Sequence, residues 1–448
     1  MYSLPLNYNM PLILHWLDRS KAITGLIPMM ALRGISVLLQ FFLQLVIARL
    51  TGTAGIATVQ VYQSWVSVLG ETNCLGLANK ATKFTALAET YAKIKQQLIT
   101  CSVIITMIWL AGGLLFVLGL WTKLMPSGAL NTVLIACLAV SVLCFAIMRL
   151  VSSSLKALDK VTTAIVLENI LATIIVLAVL AIGFSQGQLS TQITADTIIV
   201  VLTVALTLAT SACIFCCWNA LKSKQAQLVT LYTNSWGQRI RQLCNKETLF
   251  FWGTSVLSIV FLNAPFLLAS NSADLHQVGL FAVAYKCVTP ITTILMMLSA
   301  VFAPKFAIAG KAFNGTDLLL NLRQTQIASL AFYLPVVAIL MFFSDEVLNL
   351  FGEEFIAAKQ FLYLLIVAQL INALTGLPGV MLNMIGKSHI EFIGTALFCL
   401  AMFVGGYIAG EVYGLYSVAI SYGLAISAKN IWSYCWAIRA IKQINQLA

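Results

Sequence analysis

The sequence predicts an all-α polytopic membrane protein, with about twelve transmembrane helices in two six-helix lobes around a central cavity. Three observations predict it. Of its 448 residues 60% are hydrophobic and only 9% are charged, with a mean hydropathy of +0.94, whereas soluble domains carry about 25% charged residues. Apolar runs of roughly eighteen residues or more recur from end to end, the length a helix needs to cross a bilayer. A basic polar stretch, Ala220–Lys246, falls at the midpoint and separates six such runs from six. A membrane β-barrel is excluded, because its strands read as short alternating segments of about ten residues.

Taken in order, the spans fall at 24–49, 54–78, 98–121, 131–151, 162–184, 195–219, 247–271, 277–303, 325–343, 357–385, 390–410 and 415–438. Met1–Ser20 lacks a basic n-region and a small-residue cleavage site, so an interfacial lead-in is expected in place of a cleavable signal peptide. The midpoint linker divides the chain into an N-terminal lobe, 1–232, and a C-terminal lobe, 233–448. The halves echo each other weakly. Gly55-Ile56 opens span two, with Tyr62 following and Lys83-Phe84 closing. Gly279-Leu280 opens span eight, with Tyr285 following and Lys305-Phe306 closing. Six spans per half preserve orientation, which makes this a parallel repeat about an axis along the membrane normal.

Charge follows topology. With both termini cytoplasmic, the inner segments hold 20 of the 26 Lys and Arg, and the outer ones keep Arg49, Lys123 and Lys359. That asymmetry is the positive-inside pattern, and the acidic outer segment Ser344–Glu354 agrees with it. The net charge of +11 therefore marks a membrane orientation and implies no nucleic-acid partner.

Catalytic signatures are missing from the sequence. His15, His276 and His389 all fall near interfaces, no Asp-x-Asp, Walker or nucleophile-elbow motif occurs, and no large extramembrane segment exists to carry acid, base or metal ligands. The eleven cysteines are scattered. Cys213, Cys216 and Cys217 read as small apolar residues, with no His or carboxylate at ligand spacing. No metal, cofactor or disulfide is expected, and the chain reads as a transporter, not an enzyme.

The chemistry lies inside the spans. Arg33, Ser36, Gln40 and Gln44 share one face of span one, and Gln60, Gln63, Ser64, Ser67, Glu71 and Cys74 share one of span two. Such stripes line a wet interior or serve as hydrogen-bond glue between helices. Arg33, Lys286 and Lys429 fall within spans, where a charge costs at least about 2.5–3.5 kcal/mol and faces a cavity or a partner. Arg33 and Glu71 lie at matching depth, which leaves two readings: an ion pair, or an Arg33 that binds substrate phosphate with Glu71 as its competitor. Lys286 sits near mid-depth beside Thr289, Thr292 and Thr293, with no carboxylate deep in spans seven to twelve. Lys429 either faces the cavity or snorkels to the surface. Glu168-Asn169 serves ion coupling or pairs with a loop lysine. Pro265, Pro290, Pro335 and Pro378 interrupt helices and offer bending points.

Three segments carry a family likeness. They are Leu45–Phe84, with Ala48-Arg-Leu-Thr-Gly52 and Cys74-Leu-Gly-Leu77; Phe266–Tyr285; and Phe351-Gly-Glu-Glu-Phe-Ile-Ala-Ala358 continued by Leu382-Asn-Met-Ile-Gly-Lys387. In these the chain resembles the polysaccharide transporters, or O-antigen flippases (Wzx-like), of the multidrug/oligosaccharidyl-lipid/polysaccharide (MOP) exporter superfamily. The resemblance implies a MATE-like two-lobed fold in the bacterial inner membrane. It implies a flippase that moves undecaprenyl-diphosphate-linked oligosaccharide from the cytoplasmic to the periplasmic leaflet by alternating access, with Na⁺ or H⁺ coupling and with a polysaccharide polymerase and a chain-length regulator as partners. One departure is that many relatives carry an acidic residue in span seven where this chain has Asn263-Ala-Pro265. A diphosphate needs cations, for which Arg33, Lys286 and Lys429 are candidates; the sugar head needs amides, for which Gln40, Gln44, Gln60 and Gln63 are candidates; Glu71 and Glu168 are candidates for coupling or ion pairing. Two other functions compete. A proton- or sodium-coupled multidrug antiporter of the same fold would need buried carboxylates in the C-terminal lobe. A polysaccharide polymerase or ligase would need a large catalytic loop.

Overall fold

The computed structural model describes residues 12–87, 91–121, 132–158, 160–185, 193–223, 246–269 and 274–447, and no strand occurs among them. Helix α1, Leu12–Cys74, runs through predicted spans one and two and is broken only at Gly52 (φ 66°, ψ −170°). A positive φ suits a residue without Cβ, so the turn expected between these spans shrinks to a single glycine. The chain continues through α2 (Leu77–Leu87), α3 (Tyr91–Trp121) and α4 (Thr132–Ala157). Predicted span five is α5 (Val161–Ile165), a π-helical turn (Val166–Ile170) and α6 (Leu171–Ser185). Span six is α7 (Ala195–Ser223).

The second half comprises α8 (Lys246–Ala269), α9 (Leu275–Lys311), α10 (Gly315–Phe342) and α11 (Ser344–Asn349). A 3-10 turn (Glu353–Ala358), α12 (Lys359–Thr375), α13 (Pro378–Met384), α14 (Ser388–Tyr413) and α15 (Leu415–Leu447) complete it. The acidic segment expected to be a loop thus holds α11 and the start of the 3-10 turn.

Ten stretches among the described residues are long and apolar enough to cross a membrane. The first contains the break at Gly52 and so covers predicted spans one and two; α15, at the place of predicted span twelve, is not among the ten and packs along α14. Proline acts unevenly. Pro265, Pro290 and Pro335 sit inside continuous helices, whereas Pro378 opens α13 and splits predicted span ten in two. At a first helical position the missing N–H costs nothing; in the interior of a bundle neighbouring groups accommodate it. The lobe boundary expected at 232/233, most of the midpoint linker and most of Met1–Ser20 lie outside the described residues.

Alternation of the helices sends Lys80, Lys156, Lys222, Lys305, Lys311 and Lys387 to one end of the bundle, here the basic end, and Arg49, Glu346, Glu353, Glu354 and Lys359 to the other. The apolar core divides along the same axis. Away from the basic end a single cluster joins both halves, including Ile47, Ile56 and Val59 with Phe266, Phe281, Phe351 and Phe355. Toward the basic end the halves have separate cores, one around Leu77, Ile105 and Leu155, the other around Phe306, Met381 and Ile441.

Candidate functional site: a central cavity beneath a closed clasp

The shared core is locked by polar contacts around the α1 break. Arg49 Nε and Nη2 donate to the carbonyls of Leu350 (2.7 Å) and Asn349 (3.0 Å). The Thr53 amide donates to Glu354 Oε1 at 3.1 Å, and Thr53 Oγ1 lies 2.8 Å from His276 Nδ1. Gly279 of α9 presses on this turn so closely that a Cβ there would lie 2.1 Å from the Thr53 carbonyl oxygen. Small residues permit such backbone approach in membrane bundles. Phe41 meets Phe351 edge to face at 5.3 Å. At the basic end the halves touch where the end of α1 and α2 meet α8: Trp252 Nε1 donates to the Thr72 carbonyl at 3.0 Å and Asn79 Nδ2 to Ser255 Oγ at 3.1 Å.

Between these contacts lies a cavity of about 310 Å³. Both legs of α1, with α4, the π turn, α6 and α7, supply most of its wall; α9 supplies Lys286, Thr289 and Pro290. Of the residues singled out from sequence, Gln40, Gln44, Gln63, Glu168 and Lys286 line it. Gln44 is 4% exposed, and its Oε1 has no hydrogen-bond partner in the structure. Lys286 makes no hydrogen bond or ion pair with a described residue; Thr289 and Thr292 turn their hydroxyls to backbone carbonyls of their own helix.

Glu168 enters from the π turn, a helix form frequent at functional sites. Its Oε2 accepts from Ser152 Oγ at 2.7 Å and Lys156 Nζ at 2.5 Å, and its Oε1 accepts from Arg149 Nη1 at 3.4 Å. Arg149 Nε continues to Glu71 Oε2 at 3.3 Å. The carboxylate that faces the cavity is therefore matched by two cations, and Lys286 is left as the cavity's unmatched charge.

The other sequence candidates lie elsewhere. Glu71 is 1% exposed and is held by Arg149, not Arg33. Arg33 stands about one turn from cavity-lining Val37, toward the chain's N-terminus, and has no ion pair among the described residues. Gln60 is buried just outside the cavity, with Oε1 unpartnered. Lys429, for which surface snorkelling was open, is ion-paired with Glu391, whose Oε2 also accepts from Ser433 Oγ at 2.6 Å. Glu391 is a carboxylate at the start of α14, so the expectation of an unneutralised C-terminal half holds for Lys286 and not for Lys429.

Sequence reasoning missed three features. Tyr62 Oη lies 2.8 Å from Ser141 Oγ and 3.0 Å from Thr203 Oγ1, a hydroxyl cluster across three helices on the cavity wall. Thr173, one turn beyond Asn169 of the π segment, extends the polar wall into α6. Arg149, assigned to an inner loop, is half-buried within α4. Its signal was the face Arg149, Ser152 and Lys156, whose spacings of three and four put all three side chains on one side of the helix.

The chain matches no protein-family model, and no curated protein matches it in sequence. In fold it is similar to several solved transporters. A structure described as the lipid II flippase MurJ in an inward closed conformation matches with a TM-score of 0.70 at 16% identity, over 93% of this chain and 89% of that one. An inward-facing multidrug resistance MATE family transporter of the MOP superfamily matches with a TM-score of 0.65 at 15% identity, over 92% and 96%. An outward-facing structure of such a transporter gives 0.61 at 15% identity, over 94% and 95%. The chain is a multi-pass membrane protein with the transporter fold shared by these MATE and MurJ structures.

Proposed function

We propose that the protein is a flippase for an anionic lipid-linked oligosaccharide, the O-antigen or related repeat unit carried on undecaprenyl diphosphate, moved from the cytoplasmic to the periplasmic leaflet of the bacterial inner membrane by alternating access. The observation that carries this reading is Lys286. It reaches the central cavity from the C-terminal half with no ion-pair partner among the described residues, opposite a wall of amides and hydroxyls from the N-terminal half. A buried cation without a partner is costly, and an anionic ligand would relieve that cost. Gln40, Gln44, Gln63 and Asn169 offer the mixed donors and acceptors that sugar hydroxyls need. The lipid tail stays in the bilayer, and no covalent chemistry is required.

Contacts bound the cavity at both ends, and the sparser set, Trp252 to Thr72 and Asn79 to Ser255, lies at the basic end, which the charge asymmetry assigns to the cytoplasm with both termini. The shared core and the clasp around Gly52 close the opposite end, and the two separate cores leave the basic end free to part. Outward movement of an anion is favoured by about 2.3 kcal/mol per charge per 100 mV of inside-negative potential, so Na⁺ or H⁺ coupling adds to a gradient already in place. Coupling of Glu168 is compatible with its place on the cavity wall. The lobe division at 232/233 and contacts with a polymerase or a chain-length regulator belong to the same proposal.

The test is transport of a fluorescent lipid-linked oligosaccharide in proteoliposomes. Lys286→Ala is expected to lose transport and Lys286→Arg to keep part of it. Wild-type rates in the alanine variant would end the anion-cavity reading. A second reading, an ion-coupled multidrug antiporter, is favoured by one observation, the carboxylate of Glu168 on the cavity wall. Proton- or sodium-driven uptake of organic cations in the same vesicles, abolished by Glu168→Gln and indifferent to Lys286→Ala, would select it.

A further inference from the structure

Facing lipid on the flank of the N-terminal half, α3, α4 and α7 enclose a second groove, of about 450 Å³, that shares no lining residue with the central cavity. Its walls are apolar, including Ile99, Met107, Leu110, Val151 and Ile214. Along α3 it runs from Lys95 to Leu110, about 22 Å at 1.5 Å per residue. That exceeds half of a hydrocarbon core of about 30 Å, so an extended acyl chain of one leaflet fits along it.

The basic end of the groove is closed by a charged group of side chains. Trp218 of α7 stands there, with Lys95 Nζ of α3 4.2 Å and Lys222 Nζ of α7 5.9 Å from its ring centre. Neither lysine is held by a carboxylate in the ion pairs among the described residues. Two ammonium groups from different helices converge on one indole at the level where α3 and α7 leave the apolar span. Tryptophan prefers this interfacial level, and lysines there attract anionic headgroups.

We infer that this groove is a binding site for an anionic glycerophospholipid, with its phosphate between Lys95 and Lys222 above Trp218 and an acyl chain in the groove. A free phosphate would leave the apolar walls unused, and a zwitterionic lipid would leave a net positive charge at the mouth. The charge complementarity and the length of the groove carry the assignment independently of what the central cavity transports.

Purified protein in detergent would be incubated with phosphatidylglycerol and phosphatidylethanolamine of identical chains, and retained lipid counted by native mass spectrometry. Phosphatidylglycerol is expected to be retained preferentially, with about fivefold lost per lysine removed, so Lys95→Gln/Lys222→Gln should abolish the preference. Lys305→Gln, a basic-end lysine on the other half, should leave it intact. Ser102→Trp, which fills the groove, should reduce retention of both lipids while leaving the protein monodisperse. Equal retention of the two lipids by the wild-type protein, or a preference that survives the double variant, would overturn the proposal. Displacement of phosphatidylglycerol by equimolar isoprenyl phosphate would also overturn it, in favour of a prenyl-lipid site.

Discussion

Arg149 Nε donates to Glu71 Oε2 at 3.3 Å, and the same guanidinium reaches Glu168 at 3.4 Å. One arginine on α4 thus ties the end of α1 to the π turn of span five, inside the membrane-spanning bundle. Glu71 is 1% exposed, and Arg149 is its ion-pair partner. Glu71→Ala is expected to lower stability by about 1.5–3 kcal/mol, the range for a hydrogen bond to a charged group, because Arg149 keeps Glu168. Arg149→Met strands Glu71 without its cation and is expected to cost more, about 3–5 kcal/mol. Thermal unfolding in nanodiscs would check both, and the double variant Glu71→Gln/Arg149→Met should recover part of the loss.

Gln44 presents the reverse balance. Its Oε1 is buried on the cavity wall without a partner, and an unsatisfied buried acceptor costs about 1–3 kcal/mol. Gln44→Leu is therefore expected to stabilise the ligand-free protein while it slows transport. A stable variant with undiminished transport would show that the amide serves packing and not substrate.

Neutralising Glu168 changes the charge of the cavity and not its shape. In Glu168→Gln the cations Arg149 and Lys156 lose a negative partner, and the wall becomes more positive. An anionic substrate is expected to bind about tenfold tighter, comparable to one charge-assisted hydrogen bond, and to leave more slowly. Measured in vesicles, KM should fall and turnover should fall with it.

How much was legible in advance differs by physical signal. Span positions follow from hydropathy, which depends on local composition, and ten stretches among the described residues meet that test, one of them joining two predicted spans through Gly52. The polar stripe of span one placed Gln40 and Gln44 on the cavity wall, because helical periodicity fixes which residues share a face. Pairing partners were not legible. Depth along the membrane matched Glu71 to Arg33, yet depth says nothing about which neighbouring helix a side chain meets, and the partner is Arg149 on α4. The partner of Lys429 was hidden in the same way: the packing of α14 on α15 brings it to Glu391, a residue at the start of α14.

The clasp provides a test of the opposite conformation. Gly279 lies against the Thr53 carbonyl with no room for a methyl group, so Gly279→Val is incompatible with the contact that closes this end. Because α9 must move away from the Gly52 turn to accept the side chain, the hydrogen bonds from Thr53 to Glu354 and His276 should be lost together. The variant is expected to favour an outward-open state. A cysteine introduced as Thr53→Cys, tested in a variant lacking the native cysteines, should react with a membrane-impermeant maleimide several times faster when Gly279→Val is present than when glycine is retained. His276→Ala, whose partner hydroxyl on Thr53 the reporter already lacks, should leave the rate near that of the glycine parent. Equal labelling with and without Gly279→Val would show that this contact does not govern closure, and the alternating-access assignment of the clasp would have to be withdrawn.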